Sequence, residues 1–159
     1  MSIWRPHTTG IFIGGLGLIL VALVVSYMAT HFQPTTEVKL GGGVFNVRLA
    51  TTEAARVQGL SGVEKLGADG GLLMVFDDDT VNNTGIWMKD MKVPIDIIWM
   101  NNEKKVIYIV VDASPDLGES KTFRPTGPAK YVLELPAGTA KKSAIKIGDT
   151  ASFNITEGQ

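Results

Sequence analysis

Two acidic side chains are the strongest candidates for chemistry in this sequence. Asp96 lies between two isoleucines in PIDIIWM, and Glu134 lies between two leucines in YVLELP. Both segments are apolar enough to be at least half buried, and an unpaired buried carboxylate is costly. If both carboxylates point into one pocket, they could act as acid and base, as in glycoside hydrolysis. If each points to solvent, or pairs with Lys89 or Arg56, both have structural roles.

The segment GIWMKDMKVPIDIIWM, residues 85–100, offers a second kind of chemistry, which is ligand binding. Trp87, Lys89 and Met91 share one face if the segment is a regular strand, and Asp96 follows the proline bend. An aromatic wall with one cation and one anion suits a small polar ligand, such as a saccharide. A Lys89–Asp96 ion pair beneath Trp87 would instead stabilise the fold, and both alternatives stay open. The candidate binding residues are Trp87, Lys89, Asp96, Glu134 and Arg56.

Residues for metal or nucleophilic chemistry are scarce. The chain has no cysteine, and its two histidines, His7 and His31, lie outside the predicted domain. The acidic loop DDDTVNN offers oxygen ligands, but its spacing is not that of a calcium-binding EF-hand. Ser61 in GLSG lacks the histidine base of a nucleophile elbow, although a dyad with Lys65 stays open. We therefore predict no metal and no cofactor, and we favour a non-catalytic role over an enzyme.

Length and charge limit the classes of function. The chain has 159 residues, which suggests one domain with an appendage. Its net charge of −1 does not favour a nucleic-acid partner, because such binding needs a basic surface. The lack of cysteine excludes disulfide bonds and is compatible with either side of a membrane.

The uncharged run from residue 10 to residue 29, GIFIGGLGLILVALVVSYMA, predicts a transmembrane helix. At about 1.5 Å per residue, about 20 residues span a hydrocarbon core of about 30 Å. A cleaved signal peptide is the alternative, but the run is long for a signal core and Tyr27 disrupts a small-residue cleavage site. We therefore predict a retained anchor over residues 10–30, which contacts the lipid bilayer through residues 10–29.

The few charges around this run predict its orientation. Arg5 precedes it within a tail of residues 1–9, and Lys39 is the first lysine or arginine after it. Because positive residues favour the cytoplasmic side, the N-terminus is expected in the cytoplasm. A linker over residues 31–36 then leads to an extracytoplasmic domain over residues 37–157, held at the cell membrane by a single pass.

The domain sequence alternates short apolar segments with turns, as is typical of β structure. EVKLGGGVFNVRLA predicts a hairpin with a glycine turn, and TTEAARVQGL predicts a short helix capped by threonine. Further strands are predicted at GGLLMVF, IDIIWM, VIYIVVDA, YVLELP and KIGDTASFNI. The predicted class is mainly β (α+β). The domain should be barrel-like or a sandwich, with about six to eight short strands and about two short helices, preceded by one transmembrane helix.

Five motifs occur in a recognisable order, namely RVQGLSG, GGLLMVF, WMKDMKVPIDIIW, YVLELPAG and IKIGD. With them the chain resembles the domain of unknown function 192 (DUF192) family over roughly residues 37–155. The resemblance implies a small, mostly β domain, often behind an N-terminal signal or anchor, and it implies no particular reaction. The family usually has a methionine and a basic residue where this chain has Ser61 and Gly62. A function of that basic residue would need Lys65 as its substitute.

Together these observations predict a membrane-anchored, extracytoplasmic domain of the cell envelope. The expected function is non-covalent binding of a small polar or saccharide ligand, or of an envelope protein. One alternative is a carboxylate-dependent hydrolase that uses Asp96 and Glu134, which requires the two carboxylates to converge. Another is a structural accessory that docks a partner protein, which requires a large exposed apolar patch.

Overall fold

A computed structural model describes residues 17–21, 34–77 and 85–155 of the chain. The chain divides into two compact units, residues 1–33 and residues 34–159. In the first unit, residues 17–21 are helical. Among the described residues, no helix combines the length and the apolar character needed to cross a membrane. The predicted tail, most of the predicted anchor and residues 31–33 of the predicted linker lie outside the described residues.

The second unit is mainly β, as predicted. Its described part contains eight strands and three short helices, where about two helices were expected. The strands are β1 (Thr35–Leu40), β2 (Gly43–Ala50), β3 (Leu72–Val75), β4 (Ile86–Trp87), β5 (Ile95–Met100), β6 (Val106–Ala113), β7 (Thr122–Phe123) and β8 (Tyr131–Pro136). The helices are α1 (Glu53–Gln58), a 3₁₀ helix (Pro115–Leu117) and α2 (Thr139–Lys142).

Six of these strands form one sheet in the order β1-β2-β3-β8-β5-β6, and β4 pairs with β7 in a separate small sheet. The β2–β3 pair is parallel, whereas the other pairs of the large sheet are antiparallel. Among the described residues the large sheet does not close into a barrel, so the barrel-like form, one of the two expected, is not supported. The predicted β1–β2 hairpin is present and turns at Gly41, whose φ is 56°.

The C-terminal segment of residues 148–152 touches both edges of the open sheet. Lys39 of β1 forms a bridge with Ser152, and Lys105, just before β6, forms a bridge with Thr150. Because one short segment reaches both edge strands, the sheet must curve strongly. KIGDTASFNI was predicted to be a strand, but only these isolated bridges form within it.

Both faces of the large sheet are buried at the central strands β5 and β8. The inner face carries Ile98 and Leu133, which are opposite each other in β5 and β8, and it packs against Phe153. The outer face carries Trp99 and Val132, another opposed pair, within a second apolar cluster. All six side chains of β5 are therefore buried, which explains why its sequence is almost continuously apolar.

Candidate functional site

The tryptophan-containing segment leaves the strand conformation after Trp87. β4 has only two residues, which pair with β7, and Asp90 adopts a positive φ of 54°. This turn buries Met88 and Met91 while Trp87 and Lys89 face solvent. The expectation that Met91 shares a face with Trp87 and Lys89 is therefore wrong, because it assumed a regular strand.

Trp87, Lys89 and Glu119 form an exposed cluster, called the Trp87 surface below. The side chain of Trp87 is 44% exposed. The Lys89 Nζ atom lies 5.6 Å from the centre of the Trp87 ring and 2.6 Å from Glu119 Oε1. The hydrogen bond with Glu119 raises the pKa of the Lys89 amine and keeps it protonated. The surface thus presents an aromatic ring beside a paired cation and anion.

Backbone contacts hold the Trp87 surface in place. Ser61 Oγ donates a hydrogen bond to the Lys89 carbonyl at 2.9 Å. The Gly62 amide donates to the Asp90 carbonyl at 2.9 Å, and the Met88 amide donates to the Gly118 carbonyl at 3.0 Å. The residues Ser61 and Gly62, at which the sequence departs from the DUF192 pattern, therefore support this turn.

Asp96 is fully buried and accepts two backbone hydrogen bonds. Its Oδ1 accepts from the Asp112 amide at 2.9 Å, and its Oδ2 accepts from the Ala140 amide at 2.8 Å. Asp112 has a positive φ of 53° and lies where the β5–β6 register shifts. Ala140 is in the first turn of α2, whose N-cap residue Gly138 supplies no side-chain cap. Asp96 therefore caps α2 and fixes a β-bulge, as a buried structural carboxylate.

Glu134 lies on the opposite face of the sheet from Asp96. In the β5–β8 register, Asp96 is opposite Leu135, whereas Glu134 is opposite Ile97. Opposed residues of an antiparallel pair point to the same face, and neighbours along a strand point to opposite faces. The two carboxylates therefore do not converge on one cleft. The hydrolase alternative requires such convergence.

Glu134 faces Arg48 within the outer-face core. The register aligns Arg48 of β2 with Leu72 of β3, and Leu72 with Glu134, so all three share one face. Glu134 Oε2 and Arg48 Nη2 are buried without a hydrogen-bond partner among the described residues. Burial raises the pKa of Glu134 to about 8, and the positive charge of Arg48 opposes part of that rise.

Arg56 connects α1 to the end of β3. Its Nη1 donates to the carbonyl oxygens of Thr51 and Val75, both at 2.7 Å. Its guanidinium carbon lies 5.0 Å from the centre of the Phe76 ring. These contacts join Arg56 to its own neighbourhood and include neither Asp96 nor Glu134, so the alternative of a pairing with Arg56 is not observed.

Sequence reasoning missed two members of these arrangements, Arg48 and Glu119. The alternation of apolar residues in β2 places Arg48 away from the inner face, but the sequence does not reveal that the outer face is buried too. Glu119 lies 30 positions beyond Lys89 in a loop rich in proline and glycine, so no periodic pattern connects them.

Among the described residues, no group of three or more metal-ligating side chains is present. Of the DDDTVNN loop, only Asp77 is among the residues that the structure describes.

Comparison with known proteins establishes the family. The model of the DUF192 family, described as uncharacterized ACR, matches residues 36–153. This chain belongs to the DUF192 family. A UPF0127 protein of Thermococcus kodakarensis is 30% identical over 114 residues, which are 70% of this chain and 66% of that relative. The chain thus spans about two thirds of that relative's length.

Two crystal structures share the fold of this DUF192 domain. One, from Sinorhizobium meliloti 1021, is of a protein proposed to be a transcription regulator. It has a TM-score of 0.69 and 26% identity, over 76% of this chain and 95% of that one. The other is a protein of unknown function from Novosphingobium aromaticivorans DSM 12444, with a TM-score of 0.66 and 29% identity, over 76% and 84%.

The role of Asp96 in the DUF192 domain predicts a loss of stability in Asp96→Asn. An asparagine oxygen replaces one carboxylate oxygen, but the side-chain NH₂ group then meets the second backbone amide. We expect the free energy of unfolding to fall by about 3 kcal/mol, measured by urea unfolding of the full chain. Glu103→Gln is the control, because Glu103 is exposed. Equal stabilities of the two variants would contradict the structural role.

The raised pKa of Glu134 predicts a pH-dependent stability. An unfolded glutamate loses its proton near pH 4.5, whereas the folded chain keeps it until about pH 8. The contribution of this group is therefore complete below pH 4.5 and is lost as the pH rises to about 8. The stability of wild type minus that of Glu134→Gln should fall by about 1.4 kcal/mol per pH unit between about pH 5 and 7.5. Urea unfolding at several pH values measures this difference, and parallel profiles would refute it.

Proposed function

We propose that this protein is a non-catalytic glycan-binding domain, tethered to the outer side of a membrane by one N-terminal helix. The observation that carries the proposal is the Trp87 surface. Its tryptophan is 44% exposed, although large aromatic side chains are usually buried when they serve only the core. A ring that faces solvent beside fixed polar groups is suited to stacking on a ligand.

The chemistry of the Trp87 surface matches that of a sugar chain. The apolar face of a sugar ring can stack on the Trp87 indole, as other apolar surfaces do on aromatic rings. The Lys89 amine supplies hydrogen-bond donors and the Glu119 carboxylate supplies acceptors, so together they can serve neighbouring hydroxyl groups. Lys89 and Glu119 neutralise each other, which favours a ligand without a large net charge.

The positions of the buried carboxylates support a non-catalytic role. Both oxygens of Asp96 are engaged by backbone amides, at 2.9 and 2.8 Å. Glu134 points to the other face of the sheet and is 3% exposed. A pair of carboxylates across one glycosidic bond, which hydrolysis of a sugar chain needs, is therefore not formed by these two residues.

A protein partner is the second candidate for the Trp87 surface. Exposed tryptophan is enriched among the residues that dominate protein–protein binding energy. The regulator description of the Sinorhizobium relative raises a third class, which is nucleic-acid binding. The net charge of −1 of this chain does not favour that class, because phosphate contacts need a basic surface.

The proposal places residues 10–30 in the membrane and the DUF192 domain on its outer side. The run from residue 10 to residue 29 has no charged residue, and the described part of it, residues 17–21, is helical. In that helical part Leu18 is 74% exposed, which is unfavourable in water and favourable in lipid. Arg5 before the run supports a cytoplasmic N-terminus.

Cell fractionation tests the tether. The full chain is expected in the membrane fraction after a high-salt wash, and protease added on the outer side of that membrane should degrade the domain. Leu18→Glu combined with Leu20→Glu places charges in the run, at an insertion cost of several kcal/mol, so this variant should leave the membrane. Val44→Glu combined with Val57→Glu is the matched control, since both valines are exposed on the domain. Wild-type protein in the soluble fraction would exclude the tether.

Trp87→Ala tests the glycan-binding surface. We expect the detergent-solubilised wild-type chain to sediment with at least one insoluble glycan among chitin, cellulose and peptidoglycan. The variant should bind about tenfold more weakly, because a lost stacking contact of about 1.4 kcal/mol corresponds to that factor. Trp87→Phe should retain part of the binding, and Val111→Ala, an exposed apolar control, should bind like wild type. Unchanged binding of Trp87→Ala, or no binding of any glycan, would refute this role.

A further inference from the structure

A groove lies at one end of the large sheet, and no residue of the Trp87 surface lines it. It has a volume of about 1040 Å³ and is lined by the first residues of β1 and β8, the last residues of β2 and β3, and residues 152–155. None of the five binding residues predicted from the sequence lines it. Its size is at the upper end of the range of small-molecule sites, which is about 300–1,000 Å³.

The floor of the groove is aromatic and its rim carries hydroxyl and amide groups. Tyr131 and Phe153 contribute to the lining, and their rings meet edge to face with centres 5.1 Å apart. Both rings belong to the inner-face core and are largely buried, so only small parts of them reach the groove. Around them, Thr35, Thr51 and Asn154 bring exposed polar side chains from β1, from the end of β2 and from the C-terminal segment.

The charges that line the groove are balanced. Glu37 and Lys39 are joined by an ion pair at 3.2 Å, and the other two charged lining residues are Asp77 and Lys130. Two carboxylates and two amines give no preference for an anionic or a cationic ligand. A neutral molecule that has many hydroxyl groups and some apolar surface complements this lining best.

The wall formed by residues 152–155 is fixed by hydrogen bonds from several elements. The Lys39 amide donates to the Ser152 carbonyl at 2.9 Å, and Thr36 Oγ1 donates to the Asn154 carbonyl at 2.7 Å. Lys104 Nζ donates to the Phe153 carbonyl at 2.8 Å. This wall is therefore preformed, and binding does not include a free-energy cost for ordering it.

We propose that this groove is a binding site for a short, neutral oligosaccharide, separate from the Trp87 surface. This second site rests on the proposed glycan-binding function. The groove would hold a short sugar chain, in addition to the exposed Trp87 surface. The small exposed parts of Tyr131 and Phe153 form an apolar floor beneath the ligand. The hydroxyl groups of Thr35 and Thr51 and the side-chain amide of Asn154 bind sugar hydroxyls at the rim.

Calorimetric titration with tetrasaccharides tests the groove. The full chain, in a detergent without sugar groups, is titrated with cellotetraose, chitotetraose and maltotetraose. We expect wild type to bind at least one of them. Thr35→Val combined with Thr51→Val removes two rim hydroxyls while keeping side-chain shape, and Asn154→Trp fills the opening. Each variant should weaken binding at least tenfold. Thr150→Val is the matched control, because Thr150 is exposed and lies outside the groove.

Combining these variants with Trp87→Ala separates the two proposals. Tetrasaccharide binding that survives Trp87→Ala and is lost in the groove variants supports the groove. Binding that is lost in Trp87→Ala and unchanged in the groove variants overturns the groove and leaves the Trp87 surface standing. Tetrasaccharide binding in the groove without sedimentation on any insoluble glycan overturns the Trp87 surface alone. No binding in either assay overturns both, and thermal unfolding of each variant confirms that it is folded.

Discussion

One buried carboxylate connects two local features of this domain, the β5–β6 bulge and the short helix α2. Asp96 on β5 accepts hydrogen bonds from the amide of Asp112 at the β5–β6 bulge and from the amide of Ala140 in α2. α2 has four residues, too few to be stable by itself, and Gly138 before it has no side chain for capping. The chain after α2 supplies Ile145, Ala151 and Phe153 to the inner-face core, so its course depends on where Asp96 holds the helix.

The second buried carboxylate is used in the opposite way. Glu134 has an oxygen without a hydrogen-bond partner among the described residues, and Arg48 has a matching buried nitrogen. Burying a carboxyl group with an unpartnered oxygen favours its neutral form, so Glu134 is more stable here protonated than charged. Both acidic side chains that looked catalytic in the sequence are therefore part of the interior. The two ligand sites proposed above therefore use neither of them.

The individual strands, turns and helices could be predicted from the sequence more accurately than the face of the sheet on which a side chain lies. The glycines 41–43 marked the β1–β2 turn, Thr52 caps α1 as a threonine was expected to, and the apolar run at residues 70–76 contains β3. The two-residue periodicity could not place Asp96 and Glu134, because β5 and β8 are buried on both faces and no run of polar residues marks an exposed face on either strand. The turn at Asp90 was also hidden, since a positive φ at aspartate has no sequence signal as strong as glycine.

The C-terminal segment that touches both edge strands has a consequence for the behaviour of the chain in a crowded cell. Open sheets expose unpaired amide and carbonyl groups along their edges, where the edge strand of another molecule can add. Here Ser152 occupies the backbone groups of Lys39 on one edge, and Thr150 bridges to Lys105 at the other. A single short segment thus pairs with one position at each edge, and it follows all six strands of the large sheet in the chain. Until it arrives, the nascent sheet is vulnerable to strand exchange with its neighbours.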